Sequence, residues 1–236
     1  MDQIFRDVPA GFGGEGLIKV NREELRQVML KGAHWMVEHG YGWEDDLQHT
    51  EATGRLDMPD PDVITQKAIE RGKDQLGTLG GGNHFLEIQV VDEIYDPKAA
   101  EALGITQKGQ ITVMIHPETP PAYREVGQPV LIPGDMGRYS YVLVGTQGAM
   151  EKSFGTTCHG AGRVMSRKGA LREAKKRDIA KELAEQGIIV RAQNRATLGE
   201  EASYAYKDVA DVVEVVHHAG IARKVARLRP IGVVKG

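Results

Sequence analysis

Apolar residues recur along the chain with spacings that predict alternating helices and strands. Between residues 22 and 38 they follow the three- and four-residue spacing of an amphipathic helix, and Gly40 is typical of its end. A second helix is predicted to be capped by Asp60 and Asp62 and to end at Gly72. We expect the first helix to face the core and the second to be structural.

Six segments rich in apolar and β-branched residues are predicted as strands. They are residues 84–91, 110–115, 130–132, 139–144, 188–190 and 231–234. Further helices are predicted at 97–103, directly after the CHGAGR motif, at 179–187 and at 211–219. This interleaving predicts a mixed α+β fold in one domain, residues 1–236, although several sheet topologies satisfy the same pattern.

Prolines restrict two parts of the chain. The segment 117–129 contains four prolines and is predicted to be an extended connector. His116 precedes it, at the carboxyl end of a predicted strand, where functional side chains are common. Pro230 is expected at the start of the last strand, a position that a proline can occupy.

Composition limits the classes of protein that fit this sequence. With 236 residues, 41% of them hydrophobic, the chain can bury a core. No apolar run approaches the roughly 20 residues that span a bilayer, and residues 1–16 lack a basic and apolar leader. We therefore expect a cytoplasmic protein with no membrane partner.

Charge is distributed unevenly. The net charge of −3 is not the basic footprint of a protein that binds nucleic acid mainly by charge. However, residues 163–177 contain seven Lys or Arg and one Glu, and residues 223–235 contain five Lys or Arg and no acid. Both clusters could face phosphate, or they could form solvated faces.

His159 is the first candidate for chemistry. Cys158 precedes it, and this single cysteine excludes an intramolecular disulfide and a CxxC metal site. The small residues 160–162 follow and leave the imidazole open to a ligand. If a helix begins just after them, its free N–H groups and Arg163 would favour a phosphate there, which suits a nucleophile. The alternative is an ordinary surface or core histidine.

Asn83, His84 and Glu87 form a second candidate group, where a glycine-rich turn becomes a strand. In an extended strand His84 and Glu87 point to opposite faces, so one could bind a metal while the other orients a base or ribose. The turn matches neither the P-loop nor the dinucleotide fingerprint. His84 and His116 could converge on one metal, but two histidines do not fill a coordination shell.

Five segments occur in the order found in one known family. GTLGGGNHFLEIQVVD, VMIH, GQPVLIPGDMG with YSYVLVG, GTTCHGAGRVMSR and ARLRPIGVVKG together resemble the motifs of RtcB-type RNA ligases. The resemblance implies that His159 attacks GTP to form a histidine–GMP phosphoramidate, with Mn²⁺ as Lewis acid. GMP would pass to an RNA 3′-phosphate, and a 5′-hydroxyl would then displace it. The RNA ends implied are a 3′-phosphate, or a 2′,3′-cyclic phosphate, and a 5′-hydroxyl, as in tRNA splicing and RNA repair.

The same resemblance implies the site residues and partners. Residues implied at the nucleotide are Asn83, His84, Phe85, Leu86, Glu87, Pro133, Gly134, Asp135, Met136, Ser140, His159, Gly160, Ala161, Gly162, Tyr206 and Lys235. Tyr206 and Lys235 would lie at the guanine, and Asp135 stands where some relatives carry serine. His84 and His116 would bind Mn²⁺. RNA is the implied partner, together with an archease-type activating protein.

The chain departs from the family pattern in two places. The family opens with a segment that supplies an aspartate and a cysteine to the metal, whereas this chain starts near the GFGGEG glycines. After His116 relatives continue through a long helical region, whereas here Pro117 follows directly. We therefore expect a domain that is truncated at its N-terminus and internally deleted after His116.

Three hypotheses follow from the residues and the resemblance. The first is RNA ligase chemistry with His159 as nucleophile. The second is a non-catalytic or partly active remnant that still binds a guanine nucleotide. The third, an unrelated histidine–metal hydrolase, would need a third strong ligand, which the sequence does not offer.

Overall fold

A six-stranded sheet organises the chain in the computed structural model, which describes residues 1–10, 16–80, 84–115, 127–192 and 195–235. The strands are β1 (Phe85–Ile94), β2 (Ile111–Ile115), β3 (Pro129–Ile132), β4 (Ser140–Gly145), β5 (Ile189–Ala192) and β6 (Ala222–Lys235). Their order is β2-β1-β6-β4-β3 with antiparallel neighbours, and β5 pairs with β6 in parallel. The predicted mixed α+β class is confirmed.

Helices surround this sheet and occupy most of the amino-terminal part. They are α1 (Asp2–Asp7), α2 (Arg22–Lys31), α3 (Ala33–Glu38), α4 (Glu44–Gln48), α5 (Gln66–Gln75), α6 (Pro97–Ala102), α7 (Gln147–Ser153), α8 (Arg167–Ala174), α9 (Ile179–Glu185), α10 (Arg195–Glu200) and α11 (Val209–His218). The sequence pattern did not predict α1, α4, α7 or α10, which are five to seven residues long and too short for a clear periodic signal. Among the described helices, none combines the length and apolar character that a bilayer crossing requires.

The last strand is much longer than its predicted extent of 231–234. β6 pairs with β1 along one side, and on the other side with β4 up to Leu228 and with β5 from Gly232. Pro230 therefore lies inside the strand, and its expected position at the start is wrong. The register with β1 shifts between Ile88 and Gln89, opposite this proline. Such a bulge accommodates a residue that has no N–H for the ladder.

The predicted helix over residues 22–38 is broken at Gly32. This glycine has φ +60°, and a Cβ atom there would lie 2.2 Å from the carbonyl oxygen of Gly54. The chain turns at this contact and starts again as α3. Leu25 of α2 and Trp35 of α3 still share one apolar cluster, so the predicted core-facing character holds for both pieces.

The second predicted helix also differs from the structure. Asp60 caps only a short 3₁₀ turn, Pro61–Val63, and α5 begins later with Thr65 as its N-cap. Gly72 lies within α5 and does not end it. Asp60 and Pro61 are residues typical of a helix start, but here they begin a short 3₁₀ turn and not the predicted α-helix.

A capping box at the start of α2 provides a first test of the local structure. The Asn21 side chain accepts a hydrogen bond from the Glu24 N–H at 3.0 Å, and the Asn21 N–H donates to the Glu24 carboxylate at 2.8 Å. We expect Asn21→Ala to lower the free energy of unfolding by about 1 kcal/mol, because it leaves a helix donor without its acceptor. Urea unfolding measures this loss. Asn21→Ser, which keeps an acceptor, should recover most of it, and equal losses in both variants would contradict the prediction.

The centre of the sheet is buried on both faces. Leu143 of β4 packs with Val213 of α11 in one apolar cluster, and its neighbour Val144 packs with Ala100 of α6 in another. Residues that alternate along a strand point to opposite faces, so β4 joins both clusters. β4 and β6 are thus packed in the centre of the fold, and the loop before β4 and the end of β6 extend from there towards the site.

Candidate functional site

A cavity of about 340 Å³ brings together residues that are widely separated in the sequence, from Phe85 to Lys235. It lies among the start of β1, the loop between β3 and β4, the CHGAGR segment and the end of β6. The nucleotide residues implied by the resemblance that line it are Phe85, Glu87, Pro133, Gly134, Asp135, Met136, His159, Gly160, Ala161, Gly162, Tyr206 and Lys235. Its size lies at the lower end of ordinary small-molecule sites.

Several implied residues lie elsewhere. His84 and Leu86 line a different hollow with Thr78, on the face of β1 opposite to Glu87, as the alternation of a strand predicts. Ser140 is buried in β4 and does not line the cavity. Asn83 and His116 lie outside the described residues, as does most of the predicted proline-rich connector.

The loop between β3 and β4 contributes a buried carboxylate. Gly134 permits its tight path, since a Cβ atom there would lie 2.2 Å from the Tyr139 carbonyl oxygen. The Asp135 Oδ1 atom accepts a hydrogen bond from the Gly137 N–H at 3.0 Å. Within the described residues Oδ2 has no hydrogen-bond donor, and Arg138 Nη1 lies 3.7 Å from it. A buried acceptor of this kind is stabilised by a donor from a ligand or water.

The segment with His159 is a loop held against the loop between β3 and β4. The Ala161 N–H donates to the Pro133 carbonyl at 3.2 Å, and the His159 side chain is exposed at the cavity. The predicted basic helix after the CHGAGR motif is present as α8, but it begins only at Arg167, with Ser166 as its N-cap, so its amino end does not directly follow the motif. A β-bridge between Arg163 and Tyr206 holds this part of the chain extended. Any amide cradle for a phosphate is therefore made by the loop.

On one side of the cavity, Arg163 and Tyr206 are held together by the buried carboxylate of Glu201. Glu201 is only 3% exposed, and its Oε1 accepts from Arg163 Nη1 at 3.2 Å. The hydroxyl of Tyr206 donates to the other oxygen of Glu201 and accepts from the same arginine at 2.9 Å. Burial and this bond to Glu201 raise the pKa of Tyr206 to about 12, so the phenol stays protonated. Arg167, at 3.6 Å from Glu201, adds a second and more exposed cation.

The two basic clusters of the sequence have different fates. In the first, Arg163 and Arg167 line the cavity, whereas Lys168 and Arg172 are exposed on α8. In the second, Arg223 donates to Asp96 and Arg227 to Asp92, each at 2.7 Å, and only Lys235 lines the cavity. Some of the basic residues therefore line the cavity, where they could contact a phosphate, and others lie on solvated faces or in ion pairs.

Sequence reasoning missed two residues of the cavity, Arg167 and Glu201. Arg167 follows Arg163 by four residues within the recognised motif, and this spacing was a usable signal. Glu201 follows α10 in a segment without any motif, and nothing local to its sequence indicates burial.

Glu87 and Lys235 are two buried ionisable side chains at the base of the cavity. Both side chains are buried, and Gln89 Nε2 donates to Glu87 Oε2 at 2.8 Å. Burial raises the pKa of Glu87 to about 7 against the influence of Gln89 and Lys235, and Asp135 raises it further. Burial also lowers the pKa of Lys235, whose ammonium lies 5.7 Å from the centre of the Phe85 ring. A polar ligand that contacts these two groups would therefore change their pKa values.

The raised pKa of Glu87 predicts a pH-dependent stability. Between pH 4.5 and about 7 the folded state keeps a proton that the unfolded chain has lost, so stability falls as pH rises and is lowest above pH 7. We expect Glu87→Gln to raise the free energy of unfolding at pH 8 by about 2 to 3 kcal/mol, and by little at pH 4. Urea unfolding at both pH values measures this. The exposed Glu101→Gln is the control, and an equal gain at both pH values would contradict the assignment.

The described residues do not fit a manganese site beside His159. His84 faces away from the cavity, and His116 lies outside the described residues. Among the described residues there is no group of three or more His, Cys, Asp or Glu that could hold a metal ion. Of the two metal ligands that the resemblance implies, the described residues include only His84, which lines the hollow on the other face of β1. The metal ligands His84 and His116 therefore remain a prediction.

The fold and cavity define an α+β protein with a ligand site in which a histidine lies beside Arg163, Arg167 and Lys235, donors that suit a phosphorylated ligand. Comparison with known proteins identifies the family. The family model for the tRNA-splicing ligase RtcB matches residues 1–117 and 117–236. The chain belongs to the RtcB family.

Relatives in archaea support this assignment over the whole chain. The chain is 36% identical to the tRNA-splicing ligase RtcB of Archaeoglobus fulgidus and 34% identical to that of Thermococcus kodakarensis, covering 75% of each. It is 35% identical to that of Pyrococcus abyssi, of which it spans only 39%. These alignments extend over 362 residues, more than the 236 of this chain, so the relatives contain segments that the chain lacks.

Proposed function

We propose that this chain joins RNA ends by RtcB-type chemistry, with GTP as the nucleotide donor and His159 as the residue that accepts GMP. The observation that carries the proposal is the convergence of the His159 loop, the Asp135 loop and the Glu87–Lys235 pair on one cavity. These groups come from segments up to about 150 residues apart. A ligand with a polar ring and a phosphate can contact all three groups.

The proposed first step is transfer of GMP to His159. A ring nitrogen of His159 attacks the α-phosphorus of GTP, a P–N bond forms, the α–β P–O bond breaks, and pyrophosphate leaves while a ring proton passes to solvent. An RNA 3′-phosphate oxygen then attacks the same phosphorus and releases the histidine. Finally a 5′-hydroxyl attacks the 3′-phosphorus, the phosphodiester forms, and GMP leaves.

The side chains of the cavity support distinct parts of this scheme. Glu87 can accept hydrogen bonds from the N–H groups of guanine, and Lys235 can donate to its carbonyl oxygen. Arg167 is exposed and lies within ion-pair distance of Glu201, so it can contact a phosphate while it keeps its interaction with Glu201. Arg163 is committed to Glu201, Tyr206 and two carbonyls, and it holds the loop in shape.

The partners and extent of the protein are proposed on the same basis. We propose RNA ends as substrate, an archease-type protein as activator, and a cytoplasmic location, all by family resemblance. We also propose a single shortened domain with an internal deletion after His116. The division of the family match at residue 117 and the length of the alignments support the deletion.

A second candidate function is a guanine-nucleotide-binding remnant that does not ligate RNA. The position of His84 on the far face of β1 favours it, because the described residues then leave Mn²⁺, implied by the resemblance, without a ligand set next to His159. In this case the cavity would bind GTP without covalent transfer.

Intact-mass measurement after incubation with GTP and Mn²⁺ separates the two functions. A gain of one GMP supports the ligase, and sealing of an RNA with 3′-phosphate and 5′-hydroxyl ends then tests the later steps. No gain, with GTP binding by calorimetry, supports the remnant. A folded chain that neither binds GTP nor gains mass contradicts both.

A further inference from the structure

Gln89 lies behind Glu87 on the inner face of β1. Residues two apart in a strand share a face, so both side chains point to the same side of the sheet. Glu87 lines the cavity, whereas Gln89 is 0% exposed and does not line it. The Gln89 Nε2 atom donates a hydrogen bond of 2.8 Å to Glu87 Oε2. Within the described residues, no other side chain forms a hydrogen bond with the Glu87 carboxylate.

Packing does not explain a glutamine at this position. Phe85, Val91 and Met114 form part of an apolar cluster on this side of the sheet, and Met114 Sδ lies 3.9 Å from Gln89 Nε2. The buried Gln89 Oε1 atom has no hydrogen-bond donor among the residues that the structure describes. A buried acceptor without a donor lowers stability, so an apolar side chain of similar size would serve folding at least as well. The contact that requires the amide is its bond to Glu87.

This bond affects how Glu87 can contact a base. Burial raises the pKa of Glu87 to about 7, and the bond from Gln89 opposes this rise, because an N–H donor stabilises the ionised carboxylate. An ionised carboxylate only accepts hydrogen bonds, whereas the protonated acid also donates one. Guanine offers two adjacent donors, its ring N–H and its amino group, whereas adenine has a ring nitrogen acceptor in place of the N–H. Glu87 therefore distinguishes these bases best when it is ionised and held in one orientation.

We propose that Gln89 is a positioning residue for guanine recognition, and that its amide holds the ionised Glu87 carboxylate towards the ring N–H and amino group of guanine. This role rests on the proposed use of GTP. Gln89 acts through Glu87 and does not itself touch the nucleotide.

Other charged groups near Glu87 stay unchanged when Gln89 is replaced. Lys235 of β6 favours the ionised form of Glu87, and Asp135 of the loop before β4 opposes it. The remaining ionisable side chains that line the cavity are His159, Arg163, Arg167, Glu201 and Tyr206. Because a variant of Gln89 keeps all of these groups, a change in its recognition of guanine reports the loss of the amide.

Calorimetry of GTP and ATP binding between pH 5.5 and 8.5 tests this role. Both nucleotides carry the same triphosphate, so the ratio of their dissociation constants reports contacts with the base. We expect the wild type to prefer GTP, and this preference to decline as the pH is lowered through about 7, because Glu87 takes up a proton. Gln89→Met should reduce the preference at pH 7.5 at least about tenfold and move the decline to higher pH, because a hydrogen bond to a charged group is lost.

Gln110→Met is the matched control. The Gln110 amide is satisfied at both ends, since Nε2 donates to the Gly104 carbonyl at 2.8 Å and Oε1 accepts from the Thr106 N–H at 2.7 Å. Gln110 does not line the cavity, so this variant should lose stability and keep the preference for GTP. Equal preferences in the wild type and Gln89→Met at every pH would overturn the role of Gln89 and leave the proposed function in place. A wild type without a preference for GTP would overturn both.

Urea unfolding tests the same bond without a nucleotide. The folded-state pKa of Glu87 is raised, so stability falls as pH rises through it, and loss of the Gln89 donor extends this fall to higher pH. The urea midpoint of Gln89→Met should match that of the wild type at pH 5 and lie below it at pH 8.5, whereas Gln110→Met should lower the midpoint equally at both. Gln89→Leu repeats the test with a different apolar shape. An equal loss at both pH values, or failure of both Gln89 variants to fold, would assign Gln89 to structure alone.

Discussion

Replacing His159 by alanine is expected to abolish the GMP adduct on the protein. The proposed nucleophile is the only attacking group in the first step, and removal of such a group commonly lowers the rate by more than about 10³-fold. The exposed side chain lies at the cavity mouth, so the substitution removes little packing. Intact-mass measurement after incubation with GTP and Mn²⁺ should show the GMP gain in the wild type and none in His159→Ala.

Two controls separate lost chemistry from lost binding or folding. His218→Ala, at an exposed histidine of α11, should label like the wild type. Calorimetry should show that His159→Ala still binds GTP within a few-fold of the wild type, because Glu87, Asp135 and Lys235 are intact. A GMP adduct that persists in His159→Ala would place the nucleophile elsewhere, and peptide mapping would locate it.

Replacing Arg163 by methionine is expected to lower the free energy of unfolding by about 3 kcal/mol. The methionine keeps the unbranched apolar stem of the side chain but leaves Glu201, which is nearly fully buried, without its main cation. The variant also loses hydrogen bonds at 2.6 Å to the Glu200 carbonyl and at 3.0 Å to the Met165 carbonyl. An unpaired buried charge costs more than the ion pair contributes, and urea unfolding measures the difference.

A surface ion pair provides the matched control for Arg163. Arg177 donates two bonds of 2.8 Å to Glu182, but both side chains are more than a third exposed. Arg177→Met should therefore cost less than about 1 kcal/mol. In a double variant, Glu201→Gln should recover part of the loss caused by Arg163→Met, because it removes the unpaired charge. Additive losses, or equal losses at Arg163 and Arg177, would show that the buried carboxylate is not the cause.

Much of the candidate site follows from local sequence patterns. His84 and Glu87 are three residues apart in a strand, and this spacing alone places them on opposite faces. The small residues around His159 predict an open loop, and the structure contains one. The alternation of side chains along a strand and the effect of small residues both depend on only a few neighbouring residues. They can therefore be predicted directly from the sequence.

Other parts of the site depend on contacts that no local pattern carries. Lys235 near the carboxyl end is buried because β6 continues for 14 residues between β1 and β5. Glu201 is a buried partner because the chain after α10 packs beside a loop that lies about 40 residues earlier. The burial of these two side chains results from contacts between segments that are far apart in the sequence. The composition of each segment does not indicate which other segment it will contact.

The sequence by itself determined the mixed α+β class, most of the strands, the family and the identity of the histidine loop, since periodicity and motif order are properties of short segments. Only the tertiary structure decided that Gly32 breaks the first long helix, because the cause is the approach of Gly54. It also decided that His84 lines a different hollow from the cavity and that Ile111, Val113 and Ile115 of β2 are exposed. Each of these depends on which distant segments meet, and that is settled when the whole sheet and its helices pack together.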